Sequence, residues 1–158
     1  MTIFGNLLAN YRQLHHCFTQ LAQVAAQKKE AIVQDDLSAL EELFQAEGSW
    51  REQIEGLQKD CRQMEEELAK GLNLPALSRI YLEERYGTLE EVQELTELVD
   101  GITEIIVAIQ AIEGESRQHI QQKLQGTKAD LGQLRTGKRV AEAYHKTVGE
   151  AAFIDRSS

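Results

Sequence analysis

The side chains in this sequence that could do chemistry are four histidines, two cysteines and several runs of carboxylates. His15, His16 and Cys17 are consecutive and are the residue types of a soft-metal site. On a helix, neighbouring side chains point about 100° apart, so the three cannot converge on one ion, and no histidine follows four residues later to complete a one-turn pair. A phosphorelay histidine on a helical bundle would have to be His15, His16, His119 or His145, and none lies in a phosphotransfer context. Cys17 and Cys61 are too few and too far apart for a disulfide framework or a zinc site, and a reducing compartment suits them. Glu65, Glu66 and Glu67 could pair as acid and base, but such runs are the usual solvated faces of helices. There is no Gly-rich phosphate loop, nucleophile elbow or HExxH. The sequence therefore reads as a protein that is not an enzyme and uses neither cofactor nor metal.

Composition narrows the alternatives. With 17 Lys+Arg against 26 Asp+Glu the chain has a formal charge of −9, which disfavours nucleic acid, because binding phosphates requires a basic face. One proline and 6% aromatic residues argue for an all-α protein, and Gln, Glu, Leu and Ala predominate as they do in long helices. The opening MTIFGNLLANYRQ lacks the basic and apolar regions of a signal peptide, so a cytoplasmic location is expected. The wholly apolar stretch near Ile105–Ile109 falls far short of the roughly 20 residues a bilayer demands, so no membrane insertion is expected.

The elements follow from periodicity. The helix from Leu89 to Ile112 is apolar almost all the way round over Ile105, Ile106, Val107, Ala108 and Ile109, and such a helix belongs in the middle of a bundle. A first helix, about 3–32, carries Phe4, Tyr11, Phe18, Ala25 and Ile32 on one heptad series and Leu7, Leu14 and Leu21 on the other. A second, about 37–69 with Asp36 as N-cap, carries Leu40, Ile54, Cys61 and Leu68 against Leu43, Trp50, Leu57 and Met64, with Glu47 interrupting a stripe. Tyr11, Phe18, Phe44 and Trp50 read as core. Gly71 stops this helix, Pro75 opens a connector helix over 75–85, and a Thr88–Glu91 capping box starts the long helix, which runs to about 135. Gly114, Gly126 and Gly132 weaken its second half. The expected fold is all-α: an elongated antiparallel helical bundle or coiled coil of three long helices plus a short connector helix. It spans 1–135, with the hairpin at 3–69 and the long helix at 88–135. A labile tail, 136–158, is weakly helical or disordered, and its apolar residues Val148, Phe153 and Ile154 either anchor a partner or fold back onto the bundle.

This layout resembles the FlgN family of flagellar export chaperones. The resemblance is carried by the heptad hairpin containing QKKEAIVQDDLSALEELFQAEGSWREQI, the connector, the apolar helix and the ending AYHKTVGEAAFIDRSS. Relatives often carry Asn between the leucines of the long helix, where this chain reads ITEIIVAIQAI. The resemblance implies a cytosolic chaperone that binds the hook–filament junction proteins FlgK and FlgL, which are hook-associated proteins, and delivers them to the flagellar export apparatus. It places substrate binding on Ile120, Leu124, Leu131, Leu134 and Val140, and an export-gate contact on Tyr144. The competing class is a structural or adaptor coiled coil that forms a homodimer through its heptad stripes, since heptads close equally well within a chain or between chains. On the chaperone reading, replacing Ile120 and Leu124 by Asp abolishes substrate capture and leaves the melting temperature nearly unchanged.

Overall fold

Two complete apolar stripes on one helix decide the architecture, because each stripe needs its own partner. The computed structural model describes residues 4–126, together with Glu142, and its elements are α1 (Gly5–Val33), α2 (Leu37–Gly71), α3 (Arg79–Tyr86) and α4 (Glu90–Gly126). Both stripes of α1 are buried: Phe18, Ala25 and Ile32 on one, Leu7, Leu14 and Leu21 on the other, with Leu8, Cys17, Val24 and Ala31 between them. α2 covers one side of α1 and α4 the other, while α2 and α4 do not approach each other as closely. Pairing of Tyr11 with Glu65 and of Lys28 with Glu47 shows α2 antiparallel to α1. Pairing of Arg12 with Glu94 and of Lys28 with Glu113 shows α4 parallel to it. The topology is up-down-up.

The central helix is thus α1, not the segment from Leu89 to Ile112. α4 buries only one face, through Val92, Leu95, Ile102, Ile106 and Ile109, and leaves Val107 59% exposed. Its β-branched run is apolar all round, but the backbone of α4 comes close only to α1 and α3.

The helix ends also differ in detail from the periodicity. Asp36 caps α2 as expected, its carboxylate accepting from the Ala39 amide at 3.1 Å. Gly71 is the last helical residue rather than the stop. The left-handed position is Asn73, with φ 55°, and the Leu74 amide reaches back to the Ala69 carbonyl at 2.9 Å. Asp35, also at φ 55°, closes α1 in the same way, with the Asp36 amide on the Ala31 carbonyl. Asn and Asp tolerate this conformation because their short polar side chains bond locally, so neither turn needs glycine. The connector helix starts at Arg79, capped by Ser78, instead of near Pro75, and α4 starts at Glu90, two residues beyond Thr88. Leu82 of α3 enters the main core, Tyr86 meets Phe4 edge-on at 5.7 Å, and Arg79 grips Asp100 with two bonds of 2.6 and 3.0 Å.

A test of which helix is central compares two truncations. Leu21→Ala, in α1, should lower the unfolding free energy by about 2–5 kcal/mol, whereas Val107→Ala, in α4, should change it by less than about 0.5 kcal/mol. Urea denaturation followed by circular dichroism reads both, and equal losses would return the central place to α4.

Candidate functional site

Continuing the α1 series Leu7, Leu14, Leu21 by one more heptad lands on Lys28, and Lys28 is fully buried. Glu47, the interruption in the α2 stripe Leu40, Ile54, Cys61, is buried too. On α4 the buried face runs Ile106, Ile109, Glu113, Ser116, Ile120. Each long helix therefore puts one charged residue on its core stripe, and the three meet at one level. The Lys28 ammonium pairs with Glu47, donates to Glu113 Oε1 at 3.2 Å and lies 5.4 Å from the centre of the Phe44 ring. Burial pushes the Glu113 carboxyl up to about 7, with Lys28 and Arg117 pulling it down and the negative charge of Glu47 raising it. Glu113 Oε2 and Ser116 Oγ have no hydrogen-bond partner among the described residues.

This charged layer divides the interior. On one side lies the main core, from Phe4 to Ile109 and including Ile54, Cys61 and Leu82. On the other, towards the α1–α2 turn, Ala31, Ile32, Leu40 and Ile120 form a separate small cluster, with Leu43, Phe44 and Leu124 packed against it. Lys123 adds a bond to the Val33 carbonyl at 3.4 Å and an ion pair with Asp35, placing a cation on the negative end of α1.

The structure thus brings two of the expected substrate-binding residues, Ile120 and Leu124, to one place, but turns them inward. Ile120 is only 3% exposed. An aspartate at 120 would be buried among Ala31, Ile32 and Leu40, so the double Asp variant should melt well below the native chain rather than close to it. Leu131, Leu134, Val140, Tyr144, Val148, Phe153 and Ile154 lie outside the described residues. His15 faces Gly101 of α4, His16 stands edge-on to Trp50 of α2 at 5.9 Å, and Cys17 is buried beside Gln53, so the consecutive trio disperses. Among the described residues no three His, Cys, Asp or Glu side chains are grouped to hold a metal ion. Tyr11 donates to Glu65 at 2.5 Å within the bundle, where burial raises both groups. Burial likewise pushes the Cys61 thiol up to about 12, far from a reactive thiolate. Lys28 is the residue that reading apolar series alone passes over, although its position seven residues after Leu21 was the signal.

What the fold and this interior define is an all-helical bundle with a polar layer across its core, and no helix among the described residues is long and apolar enough to cross a membrane. The sequence comparison takes this one step further. The model of the family described as FlgN protein matches residues 1–150, and the chain belongs to the FlgN family, which is associated with a flagellar export chaperone role. No curated protein and no solved structure matches the chain.

The layer makes two measurable demands. Lys28→Met leaves two buried acids without their shared cation and should cost about 3–5 kcal/mol in denaturant unfolding. Glu113 has a folded pKa raised to about 7 from an ordinary 4.5, so the stability associated with its protonated form is fully present below pH 4.5 and is lost as pH rises through 7. Glu113→Gln should therefore flatten the decline of unfolding free energy across that window, by at most about 1.4 kcal/mol per pH unit, the full linkage of one proton. An unchanged pH profile would show that Glu113 does not titrate there.

Proposed function

We propose that this protein is a cytosolic chaperone of flagellar type III export that holds hook-associated proteins, FlgK and FlgL, through its C-terminal region and delivers them to the export gate. The observation that carries the reading is the family match over residues 1–150, which takes in the hairpin, the long helix and most of the C-terminal segment. The physical task fits helical chemistry. A cargo whose terminal helices would otherwise self-associate needs an amphipathic helix to cover them. Ile120 and Leu124 stand one turn apart on α4, and Leu131, Leu134 and Val140 continue the apolar spacing in the sequence. Tyr144 is the residue proposed for the export gate, with Val148, Phe153 and Ile154 as further anchors. Binding of this kind requires no nucleotide and no covalent step.

One observation weighs against the adaptor alternative. Both heptad stripes of α1 are covered by α2 and α4 of the same chain, so the α1 stripes are already occupied within one chain.

The test is size exclusion with light scattering on the full chain mixed with the C-terminal helical segments of hook–filament junction proteins. A defined complex is expected, and a chain ending at Gly126 should bind at least about tenfold more weakly, a loss of roughly 1.4 kcal/mol. A homodimer that ignores those segments would overturn the proposal in favour of the adaptor.

A further inference from the structure

We infer that residues 114–126 of α4 undock from the α1–α2 hairpin as a unit, hinged at Gly114, so that Ile120 and Leu124 exchange their own cluster for an amphipathic helix of the exported partner. The contact seen in the structure is then self-inhibitory. This deepens the chaperone reading and rests on it for the identity of the partner.

Four features carry the inference. First, between Ile109 and Ile120 the fully buried positions of α4 are Glu113 and Ser116, so no apolar anchor ties its last third to the main core. Polar contacts on that stretch are incomplete, since Glu113 Oε2 and Ser116 Oγ have no hydrogen-bond partner among the described residues. Second, Gly114 follows Glu113 directly, and a Cβ built there meets nothing within 4 Å. Packing does not require a glycine at this point, and its presence loosens the helix where the two cores part. Third, beyond the hinge the segment has one buried apolar side chain, Ile120, with Leu124 packed against the same cluster; its other contacts are the buried Ser116 and surface contacts that include the exposed ion pairs of Lys29 with Glu115 and Lys123 with Asp35. Exposed pairs contribute little, so this end opens more readily than the bundle unfolds. Fourth, Ile120 and Leu124 are an i, i+4 pair, the spacing by which an amphipathic helix seats in an apolar groove.

The consequence runs against ordinary intuition about core mutations. A partner that needs the undocked segment binds with an affinity reduced by the fraction of molecules that are open. Loosening the dock from the hairpin side, without touching Ile120 or Leu124, therefore tightens partner binding. Leu40→Ala should raise affinity for the C-terminal helical segments of hook–filament junction proteins by about fivefold. Gly114→Ala stiffens the hinge and favours the continuous helix, so it should lower affinity by a similar factor while raising thermal stability.

Native-state hydrogen exchange on the full-length chain provides the partner-independent arm. Amides of 115–126 should exchange through an opening separate from that of 92–109, faster in Leu40→Ala and slower in Gly114→Ala. Calorimetric titration of the three proteins with the helical segments provides the other arm. Exchange of 115–126 in step with 92–109 overturns the inference, and so does a Leu40→Ala variant that remains folded yet binds no more tightly than the native chain. If Leu40→Ala does not fold, the sign of the Gly114→Ala change decides. A native chain that captures no segment, while 115–126 still exchange separately, removes the chaperone reading and leaves the hinge standing.

Discussion

A single ammonium group, that of Lys28, is held inside the bundle between carboxylates from two other helices. Removing three charges from water is expensive, and their mutual attraction repays it only when all three helices sit in one relative register. Slipping α2 or α4 by one turn against α1 would leave a charge facing leucine or isoleucine. The layer therefore fixes alignment more than it adds stability, as a lone polar residue does on the seam of a coiled coil. Long heptad helices need such a device, because a stripe of similar apolar residues fits its partner almost as well one heptad along.

The same layer explains why the interior is two clusters instead of one. Apolar packing is cooperative only where side chains touch, and charged groups spanning the bundle interrupt that continuity. The larger cluster holds α1, α2, α3 and the first two-thirds of α4 together. The smaller one fastens the end of α4 beside the α1–α2 turn.

The helices themselves were legible in the sequence because heptad spacing is a strong local signal, and the cap at Asp36 was legible because its side chain has one obvious task. What escaped the sequence was relational. Apolarity on every side of Ile105–Ile109 suggested a central helix, yet centrality depends on the number of partners, and Val107 has none to cover it. Gly71 looked like a helix stop because glycine usually is one, while Asn73 took the left-handed position two residues later. Lys28 was invisible to a search for apolar residues, although the leucines before it predicted where it would point. Ile120 and Leu124 carried the right spacing for a binding face, but spacing cannot say whether a face is already occupied.

The parallel arrangement of α1 and α4 has a consequence for synthesis. α2 follows α1 directly and can cover one of its stripes as soon as it emerges. The second stripe waits for partners 82 to 85 residues further along, as the pairs Arg12–Glu94 and Lys28–Glu113 show. Until then the nascent hairpin carries a bare apolar face and a lysine already committed to the interior. Such an intermediate is prone to association with its neighbours. The Lys28 ammonium makes a premature apolar contact at that level costly, which gives the waiting face some protection against closing on the wrong helix.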